Sequence, residues 1–262
     1  MKIGRLKVAF TLLGGLIFFI LFVTIFNIIT EPILLDFDNL VEAFLSSRTL
    51  GAVWTSLYAS FLAVVVGFGL GVPLAYLLAE EDFWGKSFVK GVIDLPMAIP
   101  HTVAGIALLA VFGSSGLIGG LSGSPQFERS VLGIVTAMSF ISVPYMINSA
   151  REGFQSINPR LANVSKNLGA SNWETFKRVM FPLALPHIFN GAVMCWARSI
   201  SEFSAVVLFV GYYPTIAPGL IWTEFHSEGL AQAKVIAVVL LLIVLPIFMI
   251  LRHLRGRLFD RY

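Results

Sequence analysis

Charged side chains inside apolar stretches are the residues of this chain whose types and spacing could do chemistry. Arg198 and Glu202 lie four residues apart in one apolar run, so on a helix they share a face. A charge inside a membrane costs about 2.5–3.5 kcal/mol on insertion scales, and it usually faces a helix bundle interior or a cavity. Two interpretations follow. Either the two residues form an ion pair that locks neighbouring helices, or Arg198 offers a positive field to an anion in a pathway. A pair with Glu202 weakens the second interpretation because the net charge is then near zero.

A second group of candidates interrupts the third apolar run. Pro96 and Pro100 lie four residues apart, with Asp94 before them and His101 after them. Proline removes a helix donor and bends the chain, and broken helices at membrane depth often line a cavity. Pro96, Pro100 and His101 are therefore candidates for a gate. The alternative is a packing kink in which His101 is a hydrogen-bonded, buried side chain.

The usual motifs of enzymes are missing from the sequence. Its four histidines, at 101, 187, 226 and 253, show no H-E-x-x-H spacing, and no G-x-S-x-G occurs. Cys195, the single cysteine, lies in an apolar run without an evident base. No G-x-x-x-x-G-K-[ST] motif is present either, so the chain should not hydrolyse ATP alone. We expect no enzymatic activity, no catalytic residue, no cofactor and no metal.

Composition indicates the elements that must position these residues. Of 262 residues, 57% are hydrophobic and 13% are charged, and the mean hydropathy is +0.85. Soluble domains carry about 25% charged residues, whereas a bilayer tolerates this much apolar surface. Helices of about 20 residues are the open-chain solution there. The sequence predicts an all-α integral membrane protein with six transmembrane helices. The predicted spans are 8–30, 52–79, 92–112, 131–150, 182–210 and 230–251.

The basic residues predict the orientation of the chain. Both tails and the even-numbered gaps between spans hold 14 of the 18 lysines and arginines. The opposite side holds Arg48, Arg129 and Lys234. The positive-inside rule places both termini of this multi-pass protein in the cytoplasm of a cell whose plasma membrane it crosses. Charges arranged in this way point to membrane lipid and not to nucleic acid. Three outer segments, 31–51, 113–130 and 211–229, either meet something arriving from outside or are plain connecting loops.

The chain also divides into predicted regions. Residues 1–50 should form the first transmembrane helix and an outer loop, residues 51–252 the main transmembrane domain, and residues 253–262 a cytoplasmic tail. The cytoplasmic loop within the main domain covers residues 151–181.

That loop carries more order than a connection needs. After Pro159, the apolar residues Leu161, Val164 and Leu168 recur at helical spacing, and Gly169 suits a helix end. These features predict a short helix followed by a glycine turn.

A second short helix should follow the turn. Ser171 and Glu174 have the spacing of a capping box. Trp173 and Phe176, with Val179 or Met180, give this helix an apolar stripe, and Pro182 and Pro186 mark re-entry into the membrane. Such a surface element either docks into a groove of a partner, with an aromatic anchor, or rests on lipid as an amphipathic helix.

The pattern of this loop resembles a known family. Leu168-Gly169-Ala170-Ser171 followed by Phe176, Val179, Pro182 and Pro186 is similar to the signature cytoplasmic loop of ABC-importer permeases. The family's motif opens with Glu-Ala-Ala, where this chain has Asn163, Val164 and Ser165, so the acidic residue is absent. Segments 94–109 and 196–203 resemble permeases for tetrahedral oxyanions, most of all molybdate/tungstate permeases and then sulfate permeases.

The resemblance implies a fold, partners and site residues. It implies the type I ABC importer fold, with a coupling helix that sits in a cleft of a separate ATP-binding cassette subunit. It further implies a homodimer and an extracellular or periplasmic oxyanion-binding protein. The residues implied in docking to the ATPase subunit are Asn163, Leu168, Gly169, Ala170, Ser171, Trp173 and Phe176. The alternatives are a permease for sulfate or another oxyanion, and an ion-coupled secondary transporter. The latter often shows paired internal repeats, and none is convincing here.

Overall fold

A computed structural model describes residues 4–121 and 125–259 as helices joined by short connections. The first seven helices are α1 (Arg5–Leu35), α2 (Phe37–Leu45), α3 (Ser47–Val66), α4 (Val72–Glu80), α5 (Lys86–Ala98), α6 (His101–Phe112) and α7 (Val131–Gln155). The others are α8 (Pro159–Asn167), α9 (Asn172–Thr175), α10 (Phe181–Ile200), α11 (Ser204–Phe209), α12 (Ala217–Ser227) and α13 (Leu230–Phe259). Lys2 and Arg261, which contribute to the predicted orientation, and residues 122–124 of the second outer segment lie outside the described residues.

Several helices are long and apolar enough to cross a membrane. Within the described residues these are Leu6–Leu35, Ser47–Glu80, Val131–Gln155, Asn172–Ile200 and Leu230–Arg257, and the bent pair α5–α6 makes a sixth if it is one span. The predicted all-α membrane fold with six spans is confirmed in this form. The apolar side chains of α1 are exposed along its length, as expected for a surface that hydrocarbon covers.

The third span, predicted over 92–112 with an interruption at its prolines, is a broken pair of helices. It consists of α5 and α6, which meet at an angle of 116°. Ile99 has φ −81° and ψ 149°, the extended conformation that a following proline imposes, and Pro100 caps the new helix. Pro96 lies inside α5 and is buried. Pro100 is thus the residue that turns the expected kink into a break.

The fifth span begins earlier and ends earlier than the predicted 182–210. Helix runs without a break from Asn172 to Ile200, passing through a π-helical turn at Phe176–Met180, and the segment after Ile200 is the separate helix α11. The predicted start of this span at Pro182 was therefore wrong, because the second short helix continues into the span. Pro182 directly follows the π-helical turn, and Pro186 lies inside α10.

By their internal contacts the described residues fall into two compact units, and the larger comprises Gly51–Gly219 and Val244–Tyr262. One core cluster joins α3, α6, α7 and α11 around Met138 and Phe209, and another joins α4, α7, α8 and α10 around Phe154 and Ile188. Gly67 and Gly71 begin and end a π-helical turn. Because glycine has no side chain, Val143 and Ile147 of α7 pack closely against the turn at these positions. Their G-x-x-x-G spacing is therefore used for packing within the chain.

The smaller unit comprises Met1–Leu50 and Leu220–Ile243. Leu40 and Ala43 on α2 pack against Val235 and Val239 on α13. Two ion pairs connect its helices, Lys234 Nζ to Glu31 Oε2 at 2.6 Å and Arg48 Nη1 to Glu224 Oε1 at 2.6 Å. The outer segments 31–51 and 211–229 thus contain the helices α2 and α12, and they are not plain loops.

Candidate pathway cluster and coupling surface

Two interrupted helices of the larger unit meet at their interruptions. The first residue of α6 is His101, directly after the break at Pro100. Arg198 lies in the last turn of α10, and Glu202 lies in the turn that leads to α11. The three predicted candidates His101, Arg198 and Glu202 are therefore brought together, and we refer to them as the ion cluster.

Short contacts bind the ion cluster. Arg198 Nη2 lies 2.8 Å from Glu202 Oε2, and His101 Nδ1 lies 3.0 Å from the same oxygen. Arg198 Nη2 is also 2.6 Å from His101 Nδ1 and 2.8 Å from His101 Nε2. The pairing of Arg198 with Glu202 predicted from their spacing is confirmed, and His101 extends it from α10 to α6.

The carboxylate is the best-buried member of the cluster. Glu202 is 1% exposed, and its Oε1 accepts a hydrogen bond of 3.0 Å from the Ala205 N–H in the first turn of α11. Arg198 Nη1 donates to Ser201 Oγ at 3.2 Å. Since both oxygens of Glu202 have donors, the arrangement meets the condition under which a buried charge is tolerated. The guanidinium charge is correspondingly neutralised within the chain.

Close helix packing holds the two interruptions in register. A Cβ added at Gly105 on α6 would come within 2.9 Å of the Ala205 carbonyl oxygen and of Leu208 Cβ on α11. Only a glycine permits this approach. Helices α6 and α11 therefore leave their breaks side by side, and this fixes His101 opposite Glu202.

Sequence reasoning missed the partner of Asp94 on α7. Asn148 Nδ2 donates to Asp94 Oδ1 at 2.7 Å and so joins α7 to α5 just before the proline break. An amide directly after the run 131–147, which contains no charged or amide side chain, was the available signal.

The loop at 151–181 folds as predicted up to its second helix. Asn158 caps α8, its Oδ1 accepting a hydrogen bond of 3.0 Å from the Arg160 N–H. Gly169 has φ +89°, a conformation that side chains disfavour. The N–H groups of Gly169 and Ala170 donate to the carbonyls of Lys166 and Ser165 at 2.9 and 3.1 Å, which closes the helix end.

The predicted capping box is present. Ser171 Oγ accepts from the Glu174 N–H at 3.2 Å, and Glu174 Oε2 accepts from the Ser171 N–H at 2.9 Å. Two backbone N–H donors at the start of α9 thereby find hydrogen-bond acceptors within the chain, without a second protein. We call residues 158–176 the surface element.

The surface element is held to the chain by small side chains. Ala162 and Thr175 are buried, and the hydroxyls of Ser165 and Thr175 lie 3.1 Å apart. Phe176 is half-buried, with its ring centroid 4.8 Å from that of Tyr76 on α4. These contacts leave α8 with its larger apolar side chains directed away from the core.

The exposed side of the surface element is strongly apolar. Leu161, Val164 and Leu168 are 47%, 55% and 83% exposed and share one face of α8. Trp173 is 68% exposed and stacks on Phe176 at a centroid distance of 5.6 Å. The predicted helical spacing of Leu161, Val164 and Leu168 is confirmed, and these apolar side chains form a stripe that the chain leaves uncovered. Of the stripe predicted on the second helix, Trp173 is exposed, whereas Phe176 is half-buried and Met180 is buried. Of the residues implied in docking, Asn163, Leu168, Gly169, Ser171 and Trp173 are exposed, Ala170 is partly exposed and Phe176 lies beneath Trp173.

Across the part of the chain that the structure describes, no three His, Cys, Asp or Glu side chains are grouped to hold a metal ion. The ion cluster contains an arginine, whose guanidinium takes no part in metal ligation.

Comparison with known proteins connects the two sites. Residues 71–260 match the family described as binding-protein-dependent transport system inner membrane component. The chain belongs to this family. The match includes the broken third span, the ion cluster and the surface element.

Individual relatives extend the likeness over the full chain. One is the molybdate/tungstate transport system permease protein WtpB of Pyrococcus abyssi, 40% identical over 248 residues, which are 95% of each chain. Another is a probable sulfate transport system permease protein of Chlorella vulgaris, 33% identical over 191 residues, 71% of this chain and 72% of that one. Among solved structures, a bacterial ABC transporter involved in the import of alginate matches with a TM-score of 0.78 at 20% identity, covering 96% of both chains. This likeness confirms the fold as that of an ABC importer permease.

Proposed function

We propose that this chain is the permease subunit of an ATP-driven importer and forms the translocation pathway for a tetrahedral oxyanion, with molybdate and tungstate as its substrates. The surface element carries the proposal. It consists of two short, capped helices joined by a glycine turn, and a row of large apolar side chains on it points outward. Exposing this apolar surface does not stabilise the free chain, whereas covering it with a partner protein would. The exposed surface therefore indicates a binding site for a partner.

The partner that fits the surface element is a separate ATP-binding cassette subunit. Leu168 and Trp173 present apolar and aromatic surface at the two ends of the glycine turn, and tryptophan is one of the residue types that most often anchor interfaces. Asn163 stands where the family has an acidic residue, so docking here rests on apolar contact in place of a salt bridge.

Assembly and orientation complete the proposal. A second copy of the chain would form the other half of the pathway. An external oxyanion-binding protein would deliver the substrate, and the family's description as binding-protein-dependent supports this second partner. The clustering of basic residues supports cytoplasmic termini and a cytoplasmic surface element.

The choice of substrate rests on the relatives. The permease of Pyrococcus abyssi is named for molybdate and tungstate and matches over nearly its whole length. Sulfate is the second candidate, supported by the shorter and less identical match to the sulfate permease of Chlorella vulgaris. All three anions are tetrahedral dianions, so both relatives support this class, and the more similar one supports the metal oxyanions within it.

The test is reconstitution of the complete importer in liposomes. The permease would be combined with candidate ATP-binding subunits and an external binding protein, and ATP-dependent uptake of molybdate, tungstate and sulfate measured in parallel. We expect stable association, ATP hydrolysis stimulated by the loaded binding protein, and uptake of molybdate or tungstate in preference to sulfate. A chain that purifies alone and moves solute along an ion gradient would overturn the proposal in favour of a secondary transporter.

A further inference from the structure

A cavity of about 570 Å³ lies beside the ion cluster in the larger unit. One face of α10 forms its wall, since Asn190, Arg198 and Ser201 recur at helical spacing. Residues 190 and 198 are eight positions apart, so this wall is about 12 Å long. The cavity therefore runs from the helix break toward the middle of α10.

The opposite wall comes from the last part of α13. Phe248, Arg252 and Arg255 lie four and three positions apart and face the same space. Tyr145 of α7 adds a hydroxyl group. The lining thus contains three arginines and no carboxylate.

The arginines differ in how their charge is used. Arg198 is neutralised by Glu202 at 2.8 Å, whereas Arg255 Nη1 donates to the neutral Asn190 Oδ1 at 3.0 Å. Within the described residues, neither Arg252 nor Arg255 has a carboxylate within ion-pair distance. Two positive charges therefore remain in a concave space whose other polar groups are neutral.

We propose that this cavity is a transient binding site for a tetrahedral oxyanion dianion, held by Arg252 and Arg255. Two guanidinium groups match the charge of a dianion, and each offers paired N–H donors to two of its oxygens. Asn190 keeps Arg255 turned toward α10, so the positive charge faces the cavity. The proposal rests on the proposed function, and it assigns to α13 the anion contact that the neutralised Arg198 does not supply.

The ordinary role of arginines at the end of a spanning helix is to fix orientation or to contact lipid headgroups. Arg252, Arg255 and Arg257 are all exposed, but Arg257 does not line the cavity. Arg257 is the matched control for Arg252 and Arg255. A phosphate headgroup shares the chemistry of the proposed ligand, so the test separates these two sources.

The experiment measures tungstate binding to the full chain in nanodiscs of neutral lipid, by equilibrium dialysis and elemental analysis of tungsten. We expect one tungstate per wild-type chain. Binding should be at least about tenfold weaker in the R252Q/R255Q variant and should stay within about twofold in R257Q. An R252K/R255K variant, which keeps the charge but loses the paired donors, should fall between them, and its unfolding temperature checks that the fold is intact.

Other outcomes would overturn the inference. One is an equal loss in R257Q, which would mean diffuse charge. Another is a wild-type chain that binds no tungstate in neutral lipid but retains anionic lipid through Arg252 and Arg255, which would mean a headgroup site. Uptake by the complete importer separates the inference from the proposed function. If the wild type imports an oxyanion and R252Q/R255Q imports it equally fast, only the inference fails. If the wild type imports no oxyanion, the proposed function fails as well.

Discussion

The ion cluster and the surface element differ in whether their side chains have partners within the chain. In the ion cluster, charged groups within the helix bundle find their partners inside the chain, and Glu202 is 1% exposed. In the surface element, the backbone is satisfied by caps and by the glycine turn, yet apolar side chains such as Leu168, 83% exposed, point outward. One region is complete by itself and the other is not.

This difference indicates where stability and function reside. A mutation that removes an interaction made within the free chain should lower the stability of the fold. A mutation on a surface that the free chain leaves uncovered should instead lower the affinity for a partner, with little effect on the fold. Substitutions in the ion cluster should therefore change mainly the stability, and substitutions in the surface element mainly the affinity for a partner.

The largest effect is expected when the carboxylate of the ion cluster is removed. Glu202→Ala leaves the Arg198 guanidinium without its counter-charge and the Ala205 N–H without its acceptor. We expect a loss of about 3–5 kcal/mol in the free energy of unfolding, measured by denaturant titration in detergent micelles. The double variant Arg198→Met with Glu202→Leu, which removes both charges, should recover most of this loss. An unchanged stability in Glu202→Ala would contradict a structural role for the pair.

A smaller effect of a different kind is expected at Trp173. Trp173→Ala removes an exposed ring whose one ring contact within the described residues is with Phe176, so the unfolding temperature should barely change. If Trp173 anchors the ATP-binding subunit, affinity for that subunit should fall by about 2 kcal/mol, roughly 30-fold, measured by titration of the subunit onto the permease in nanodiscs.

Trp84 provides the matched control for Trp173. It is 100% exposed on the connection before α5, outside the surface element. Trp84→Ala should leave the affinity for the ATP-binding subunit unchanged. Equal losses in both variants would move the docking surface away from the surface element or extend it.

The glycine turn should show both kinds of effect in moderate amounts. Gly169→Ala places a side chain in a left-handed conformation at φ +89°, which costs about 1–2 kcal/mol of stability. Gly85→Ala, at φ +87°, imposes the same strain in another turn, and in both positions the added Cβ meets open space. We expect equal destabilisation in thermal unfolding but reduced coupling of ATP hydrolysis to uptake only for Gly169→Ala. Uncoupling by Gly85→Ala as well would show that strain alone, and not the docking turn, causes the defect.

Local patterns carried the prediction of the surface element because its structure depends on neighbours in sequence. The capping of Ser171 by Glu174 and the helix end at Gly169 involve residues at most five positions apart. The direction of the apolar stripe could not be predicted in the same way. It depends on Ala162 and Thr175 packing inward, which is decided by contacts with α4 and α7.

The ion cluster was predictable only in part for the same reason. The pair Arg198–Glu202 follows from i,i+4 spacing, whereas His101 joins it from 97 residues away through the meeting of two helix breaks. The break after Ile200 carries no proline, and the long helix from Asn172 carries two, so prolines gave the wrong boundaries in this span. The end of this membrane helix therefore depends on packing against α6, which is distant in sequence.

The smallest effect is expected at a second i,i+4 ion pair with the same separation. Lys86 Nζ lies 2.8 Å from Asp82 Oδ1, as Arg198 lies 2.8 Å from Glu202, but the Asp82 side chain is 99% exposed. The hydrogen bond from Lys86, followed by its charge, lowers the pKa of Asp82 below its usual 3.8. A lowered pKa in the folded state stabilises the fold above the ordinary pKa, and this contribution disappears as the pH falls through the lowered value. Water screens so exposed a pair, however. Asp82→Asn should therefore leave the unfolding curve at pH 7 unchanged, and the curves of variant and wild type should coincide even more closely in acid. A destabilisation comparable with that of Glu202→Ala would mean that separation, and not burial, sets the strength of ion pairs in this protein, and the contrast between its satisfied interior and its open surface would have to be abandoned.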